Sequence, residues 1–297
     1  MKKYRLLFAL LFALPLLFLS CRQGGAEAPS SDTTQFVDDL GRTVSVPSQP
    51  QRIVSLSPGV TEIIYALGAD AHLVGRTDFC TYPPQCQRVQ SVGGITNLNV
   101  EKILSLQPDL VIGGSMIPQA AIEQLQRLGI PVAIVGEKNR FSGLVDNILA
   151  IGSLTATYDQ AQPLADAIIS QLPHVDTLAQ RPSVYYVVGF GAGGNYTAGG
   201  NTFISDIITL AGGRNIASDV DGWSYSLEAL MANDPDFVVI RREDSAQFVS
   251  TKPYSTLRAV RQGHVVAIES GIIDVQVPRN IDAITQLATR FGAWQQR

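Results

Sequence analysis

Histidine, cysteine and methionine occur three times each and tryptophan twice among the 297 residues. His72, His174 and His264 stand alone, and neither a His-Glu-x-x-His nor a Cys-x-x-Cys spacing exists. A zinc-type centre or a histidine-based catalytic cluster therefore has no support in the sequence. The Gly-x-Ser-x-Gly turn that carries a hydrolase nucleophile is also missing. Beyond the N-terminal segment no apolar run reaches the ~20 residues that a membrane-spanning helix requires. Basic residues are outnumbered, 22 against 26 acidic, which argues against a nucleic-acid partner, because phosphates reward an excess of lysine and arginine.

What is present begins with Lys2, Lys3 and Arg5, an apolar run of 14 residues from Leu6 to Leu19, and Ser20-Cys21. A cationic start, a short apolar core interrupted by Pro15 and a small residue at its end follow the order of a secretory leader, residues 1–20. The Ser20-Cys21 pair resembles a bacterial lipobox, with Phe18 where leucine is usual. Cys21 is then either the lipidated first residue of the mature chain or a bystander near the cut. Residues 21–35, rich in Gly, Ala, Ser and Pro, read as the tether to that anchor. Loss of the leader leaves 26 acidic against 19 basic residues, a net charge of −7. With Cys21 set aside, Cys80 and Cys86 lie six positions apart. In an exported chain the expectation is a disulfide that fixes a loop, with metal or redox chemistry as the alternative.

The two halves of the mature chain echo each other. Glu101 precedes Pro108-Asp109 by seven positions, and Glu228 precedes Pro235-Asp236 by the same seven. The apolar runs that follow, Leu110–Ile112 and Phe237–Val239, keep the 127-residue offset. Thr61–Ile64 with Leu67-Gly68 parallels Ser205–Ile208 with Ala211-Gly212, and Ile130–Ile134 parallels His264–Ile268. Three blocks in one order predict a duplicated pair of lobes.

Within each half, short Val- and Ile-rich runs alternate with helical-period segments, the pattern of parallel strands linked by helices. Strands are predicted at Ile53–Leu56, Leu73–Gly75, Leu110–Ile112 and Val132–Val135, then at Val184–Val188, Phe237–Ile240 and Val265–Ile268. Between the halves, Phe141–Leu178 lacks a strand, and Leu164, Ile168, Ile169 and Leu172 follow helical spacing. One long helix capped by Asp159 and ended by Pro173 is expected there. The fold class is thus α/β: two similar Rossmann-like lobes, residues 36–140 and 181–297, joined by a single long helix within 141–180, with a ligand cleft between them.

Asp38–Val44, Arg52–Pro58, Thr61-Glu62, Asn97–Glu101 and Pro108–Val111, in this order, are similar to the landmarks of the cobalamin, ferric siderophore and haem binding proteins of ABC importers. The resemblance runs from Phe36 to about Phe291. It implies a periplasmic or otherwise extracytoplasmic monomer, without a cofactor of its own, that clamps a metal chelate in the cleft. It also implies delivery to a membrane permease driven by an ATPase. Thr77–Pro84 resembles the Tyr-Pro-Pro loop of the cobalamin-binding members, which tilts the ligand from haem or a ferric siderophore toward a corrinoid.

A broad, mostly uncharged macrocycle gains from flat aromatic walls, each worth about 0.5–1.5 kcal/mol beyond area burial. Tyr82 from the first lobe, and Phe190, Tyr196 and Trp223 from Gly-rich or turn-like stretches of the second, are candidates, with ordinary packing as the alternative for each. The resemblance adds Gly59, Gly94, Ile95 and Arg279. Positions where cobalamin-binding members carry tryptophan read here as Gly94 or Ile95 and as Gly114, so a roomier cleft is expected. Gly189–Gly194 meets the Gly-x-Gly-x-x-Gly spacing through glycine density alone; close backbone approach to a ligand or a plain turn accounts for it. Arg76, Arg241 and Arg242 are scattered candidates for an anionic ligand. Glu101 and Glu228 each follow a plausible cap, Asn99 and Ser226, where the helix dipole alone favours a carboxylate. In the resembled family, one acidic residue per lobe tip docks on the permease. A hydrolase is the rival from a different class, because fold does not fix function.

Overall fold

The computed structural model describes residues 32–175 and 180–294. The leader, Cys21 and the tether as far as residue 31 lie outside the described residues, whereas residues 33–35 belong to a strand. That strand, β1 (Thr33–Val37), pairs antiparallel with β2 (Thr43–Pro47). The turn between them explains the first sequence landmark. Asp38 accepts from the backbone N–H of Leu40 (3.1 Å) and Arg42 (3.0 Å), from Arg42 Nε (3.1 Å) and from Ile134 N (3.2 Å), and its other contact is an ion pair with Arg42 Nη2 at 2.5 Å. Arg42 Nη2 in turn donates to Val132 O. One buried carboxylate thus folds the hairpin and bolts it to the first sheet.

That sheet consists of β3 (Ile53–Ser55), β4 (Leu73–Arg76), β5 (Gln90–Ser91), β6 (Leu110–Gly113) and β7 (Val132–Ile134), all parallel in the order β5-β4-β3-β6-β7. Its central strands are buried on both faces, as continuous β-branched runs require. Helix α1 (Pro58–Ala66) has proline at its first position, where the missing N–H costs nothing. Helices α2 (Val100–Ser105) and α3 (Gln119–Arg127) complete the crossovers.

The single connecting helix is replaced by two, α4 (Ser142–Leu154) and α5 (Tyr158–Ser170), packed on one another. The break has a local cause. Ala156 adopts a left-handed backbone with φ +56, the Thr155 hydroxyl turns back to Ile151 O (2.7 Å) and pairs with Thr157 Oγ1 (2.7 Å), and Thr157 N donates to Gly152 O. Threonine hydroxyls that compete for backbone partners end the first helix without glycine or proline. Thr157, not Asp159, precedes α5, and the helix stops at Ser170, before Pro173.

The second sheet, β8 (Ser183–Val187), β9 (Arg214–Asn215), β10 (Phe237–Arg241) and β11 (Val265–Ile268), is again parallel, in the order β9-β8-β10-β11. With α6 (Phe203–Leu210), α7 (Leu227–Asn233), α8 (Arg242–Ser250), α9 (Arg258–Arg261) and α10 (Asn280–Trp294) it forms the second lobe. The two orders superimpose as β4-β3-β6-β7 on β9-β8-β10-β11, so the sequence echo is a structural one. The paired Pro-Asp steps do the same work in each lobe. Asp109 accepts from the N–H of Gln51 and Arg52 ahead of β3, and Asp236 from the N–H and hydroxyl of Ser183 at the start of β8.

A continuous apolar core runs from Ile53 and Ile112 through Leu144, Ile151 and Ala161 to Val239 and Leu287, so it crosses both lobes and the helix pair. Buried polar groups stitch the same boundary. Gln276 Nε2 donates to the carbonyls of Lys138 (3.0 Å) and Arg140 (2.9 Å) while its Oε1 accepts from Lys138 N (2.8 Å), and Asp206 accepts from Phe141 N (2.8 Å).

Candidate functional site

In parallel sheets, ligands gather outside the carboxyl ends of the strands, where the strand order reverses. In the first sheet that point lies between β3 and β6. From the segments leaving these strands, Leu56-Ser57-Pro58 and the residues Gly114 and Met116 line a cavity of about 390 Å³. Phe203, Trp223, Asp274 and Val275 close it from the second lobe. A second cavity of about 310 Å³ holds Phe79, Tyr82 and Arg279 and shares Pro58, Ile95, Asp274 and Val275 with the first. These four common residues make the two cavities adjoining basins of one cleft.

The candidate residues separate sharply. Tyr82 and Trp223 are large, partly exposed rings, 41% and 45% accessible, each lining one basin, and Ile95 touches both. Arg279 sits under Tyr82 with its guanidinium carbon 3.5 Å from the ring centroid. It is not free for a ligand. Its Nε and Nη2 reach Glu62 at 3.0 and 2.9 Å in a two-pronged pair, and Nη1 lies 3.4 Å from Glu269. Glu62 comes from α1 and Arg279 from the segment before α10, so this pair spans the lobes. Burial raises the Glu62 carboxyl above the usual range against the pull of Arg279; burial alone would lower the Arg279 guanidinium, but Glu62 and Glu269 outweigh it and hold its proton more tightly.

Phe190 packs edge-on against Phe248 and Tyr254, with centroids 5.1 and 5.6 Å apart, and belongs to the second-lobe core rather than to a cleft wall. Tyr196 lies over Gly189 and Gly194, where an added Cβ would come within 3.2 and 3.4 Å of its ring, and it lines neither basin. The glycine loop is thus a turn held beneath its own tyrosine, further pinned by Gly191 N to Tyr254 Oη (2.9 Å) and Tyr254 Oη to Asn195 Oδ1 (2.6 Å). Gly59 admits the backbone of the other lobe, since a Cβ there would meet Gln276 O at 2.9 Å, and Gly94 leaves room for Asn97 Oδ1.

The expected disulfide is absent. Cys80 and Cys86 are separate buried thiols: Cys80 Sγ accepts from the Thr61 hydroxyl (3.0 Å), and Cys86 Sγ donates to Cys80 O (3.1 Å). The short turn brings one sulfur to its partner's carbonyl instead of its sulfur, and burial pushes the Cys86 thiol up, away from thiolate chemistry.

Sequence reasoning missed Phe79, Met116, Glu137 and Asp274. Phe79 and Met116 are 60% and 65% exposed at the cleft rim, and each follows a strand's carboxyl end, which is the signal that exposes them. Asp274 accepts the Tyr186 hydroxyl and the Arg241 Nε (2.6 Å), a meeting that only the fold creates. His264 stacks on Phe237 (4.9 Å) near the N-terminal end of β11, away from the cleft. Among the described residues no group of acidic, cysteine and histidine side chains is arranged to hold a metal, and no helix is long and apolar enough to cross a membrane.

Glu101 and Glu228 lie in the first turns of α2 and α7, capped by Asn99 (Oδ1 to Lys102 N, 2.9 Å) and Ser226 (Oγ to Ala229 N, 3.0 Å). Each of these helices starts on the carboxyl-edge side of its sheet, so the two exposed carboxylates stand at matching places on the cleft face.

Residues 53–271 match the family model described as periplasmic binding protein. A cobalamin-binding protein of Halobacterium salinarum is 33% identical over 274 residues, spanning 86% of this chain and 73% of that protein. The vitamin B12 binding protein of Vibrio cholerae aligns with a TM-score of 0.72 at 26% identity, over 84% of this chain and 99% of its own. A periplasmic heme-binding protein of Roseiflexus sp. RS-1 aligns with the same TM-score at 27% identity, over 81% and 97%.

Proposed function

Since the chain belongs to the periplasmic binding protein family, of the type that takes up B12, haem or siderophores, we propose that it captures a corrinoid, cobalamin by preference, between its lobes. It then hands the ligand to the permease of an ABC importer. The observation that carries this reading is the pair of exposed rings, Tyr82 and Trp223, on adjoining basins of one apolar cleft. A flat, uncharged macrocycle spanning both basins would cover both rings and Ile95. Among the described residues no imidazole lines the cleft, so haem iron would have to take its axial ligand from Tyr82, whereas a chelate that arrives with its metal already ligated needs none. Capture leaves the ligand chemically unchanged.

Lipidation of Cys21 holds the protein at the outer face of a membrane, and Glu101 and Glu228 engage cationic side chains of the permease. Reversal of both charges is expected to abolish uptake by cells while leaving ligand affinity intact; uptake that persists in the doubly reversed variant removes this docking role.

Titration calorimetry of the purified protein with cyanocobalamin, hemin and several ferric siderophores separately should give one tight partner, the first. Trp223→Ala should weaken it at least tenfold, about 1.4 kcal/mol. Tight binding of hemin alone would transfer the reading to haem, and no binding of any of the three would end it.

A further inference from the structure

Among the described residues, every cation lining the cleft is matched by a carboxylate of this chain. Arg279 is held by Glu62 and Glu269, and Lys138 is paired with Asp39. Arg241, immediately behind the cleft-lining Asp274, is paired with that residue and with Asp244 (3.9 Å). Glu137 lines the first basin without an ion-pair partner among the described residues. The two arginine pairs are the least exposed: Glu62 retains 6% and Arg279 17% of side-chain accessibility, Asp274 21% and Arg241 29%. In so sheltered a setting charge is weakly screened, and an unbalanced cation would act on a bound anion at several ångströms.

Arginine is the usual fork for carboxylate and catecholate oxygens, because its planar donors match two acceptors at once. In this cleft that fork is spent within the protein. We infer that Glu62 and Asp274 are specificity-determining residues: by occupying Arg279 and Arg241 they deny anionic chelates the two cations and reserve the cleft for uncharged ligands. The inference rests on the metal-chelate reading above but not on the ligand being a corrinoid. Both carboxylates act here through the arginines they hold, so their removal should change selectivity in a definite direction, which loss of packing alone would not.

The test uses the full-length protein and two probe pairs alike in bulk but different in charge. The first is cyanocobalamin against derivatives in which one to three peripheral amides are hydrolysed to carboxylates. The second is a neutral ferric hydroxamate against an anionic ferric catecholate. Glu62→Gln keeps one of the two acceptors for Arg279, and Asp274→Asn can set its amide oxygen on Arg241 Nε and its NH2 on the Tyr186 hydroxyl oxygen, while each removes one negative charge. Wild-type protein should prefer the uncharged member of whichever pair it binds by at least tenfold, and each variant should cut that preference at least tenfold. The double change Glu62→Leu with Arg279→Met removes both charges, and should restore discrimination against the anion even if overall affinity falls. Should one single variant fail to fold, the other still decides. An unchanged preference in the folded variants, or a wild-type preference for the anion, overturns the inference. If neither corrinoid binds while the second pair responds as stated, the corrinoid reading fails and the charge rule stands. If cyanocobalamin binds tightly but the variants treat its acids as the wild type does, the reverse holds.

Discussion

Asp38 illustrates how much one side chain can carry. It is buried, takes three backbone N–H groups and the Arg42 guanidinium, and joins the N-terminal hairpin to β7. Burial alone would raise its carboxyl, but the hydrogen bonds from Arg42 and Ile134 outweigh that and hold it below the usual range. A lowered folded-state value means that its stabilisation is present above the ordinary carboxylate range and is lost as pH falls through the lowered value. Asp38→Ala, which strands the buried donors and Arg42, should cost about 3–5 kcal/mol, measured by urea unfolding at neutral pH. In Asp38→Asn the acid limb of the stability profile should flatten relative to wild type. An unchanged acid limb would mean that other carboxylates control acid unfolding. The same residue was legible only as a landmark of resemblance; Leu40 and Arg42 are local partners, but Ile134 on β7 lies 96 positions away, and no local pattern could name it.

At the scale of elements, the helix pair α4–α5 depends on one close approach. A Cβ on Gly152 would fall 2.5 Å from that of Ala161 and 3.3 Å from Thr157 O, so the two helices meet where the first has no side chain. Gly152→Val should force them apart and cost about 1–3 kcal/mol, seen as a fall of several degrees in the thermal midpoint by circular dichroism. An unaltered midpoint would show that the hairpin packs by other contacts. The elements themselves were unequally readable. Seven strands of the two parallel sheets announced themselves because parallel strands buried on both faces must be apolar at nearly every position, whereas the antiparallel β1 and β2, largely exposed on one face, did not. The two-residue strands β5 and β9 carry no such run, and the bend at Thr155–Thr157 is made by hydroxyl competition and one left-handed alanine, neither of which interrupts the apolar period. Aromatic side chains in turn-like sequence were equally ambiguous: Trp223 and Phe190 look alike in one dimension, yet only the former reaches the cleft, because Phe190 meets Phe248 and Tyr254 from a different helix and turn.

For the whole molecule, the shared core and the buried stitches across the lobes argue for a clamp that moves little. Small-angle scattering curves of the free and ligand-loaded protein should superimpose; a marked contraction on loading would instead require a hinge at the helix pair. The duplicated sheets place both carboxyl edges on the same opening, so capture and proposed permease contact share one face while the Pro-Asp clasps keep the opposite ends of the strands in order. One of the stitches has a consequence for how such a protein can drift over generations. Gln276 grips the main-chain oxygens at positions 138 and 140 rather than any side chain. A change of the cleft-lining side chain at position 138 therefore leaves this grip in place, so the mouth can be retuned toward new cargo without loosening the joint beside it, although it frees Asp39.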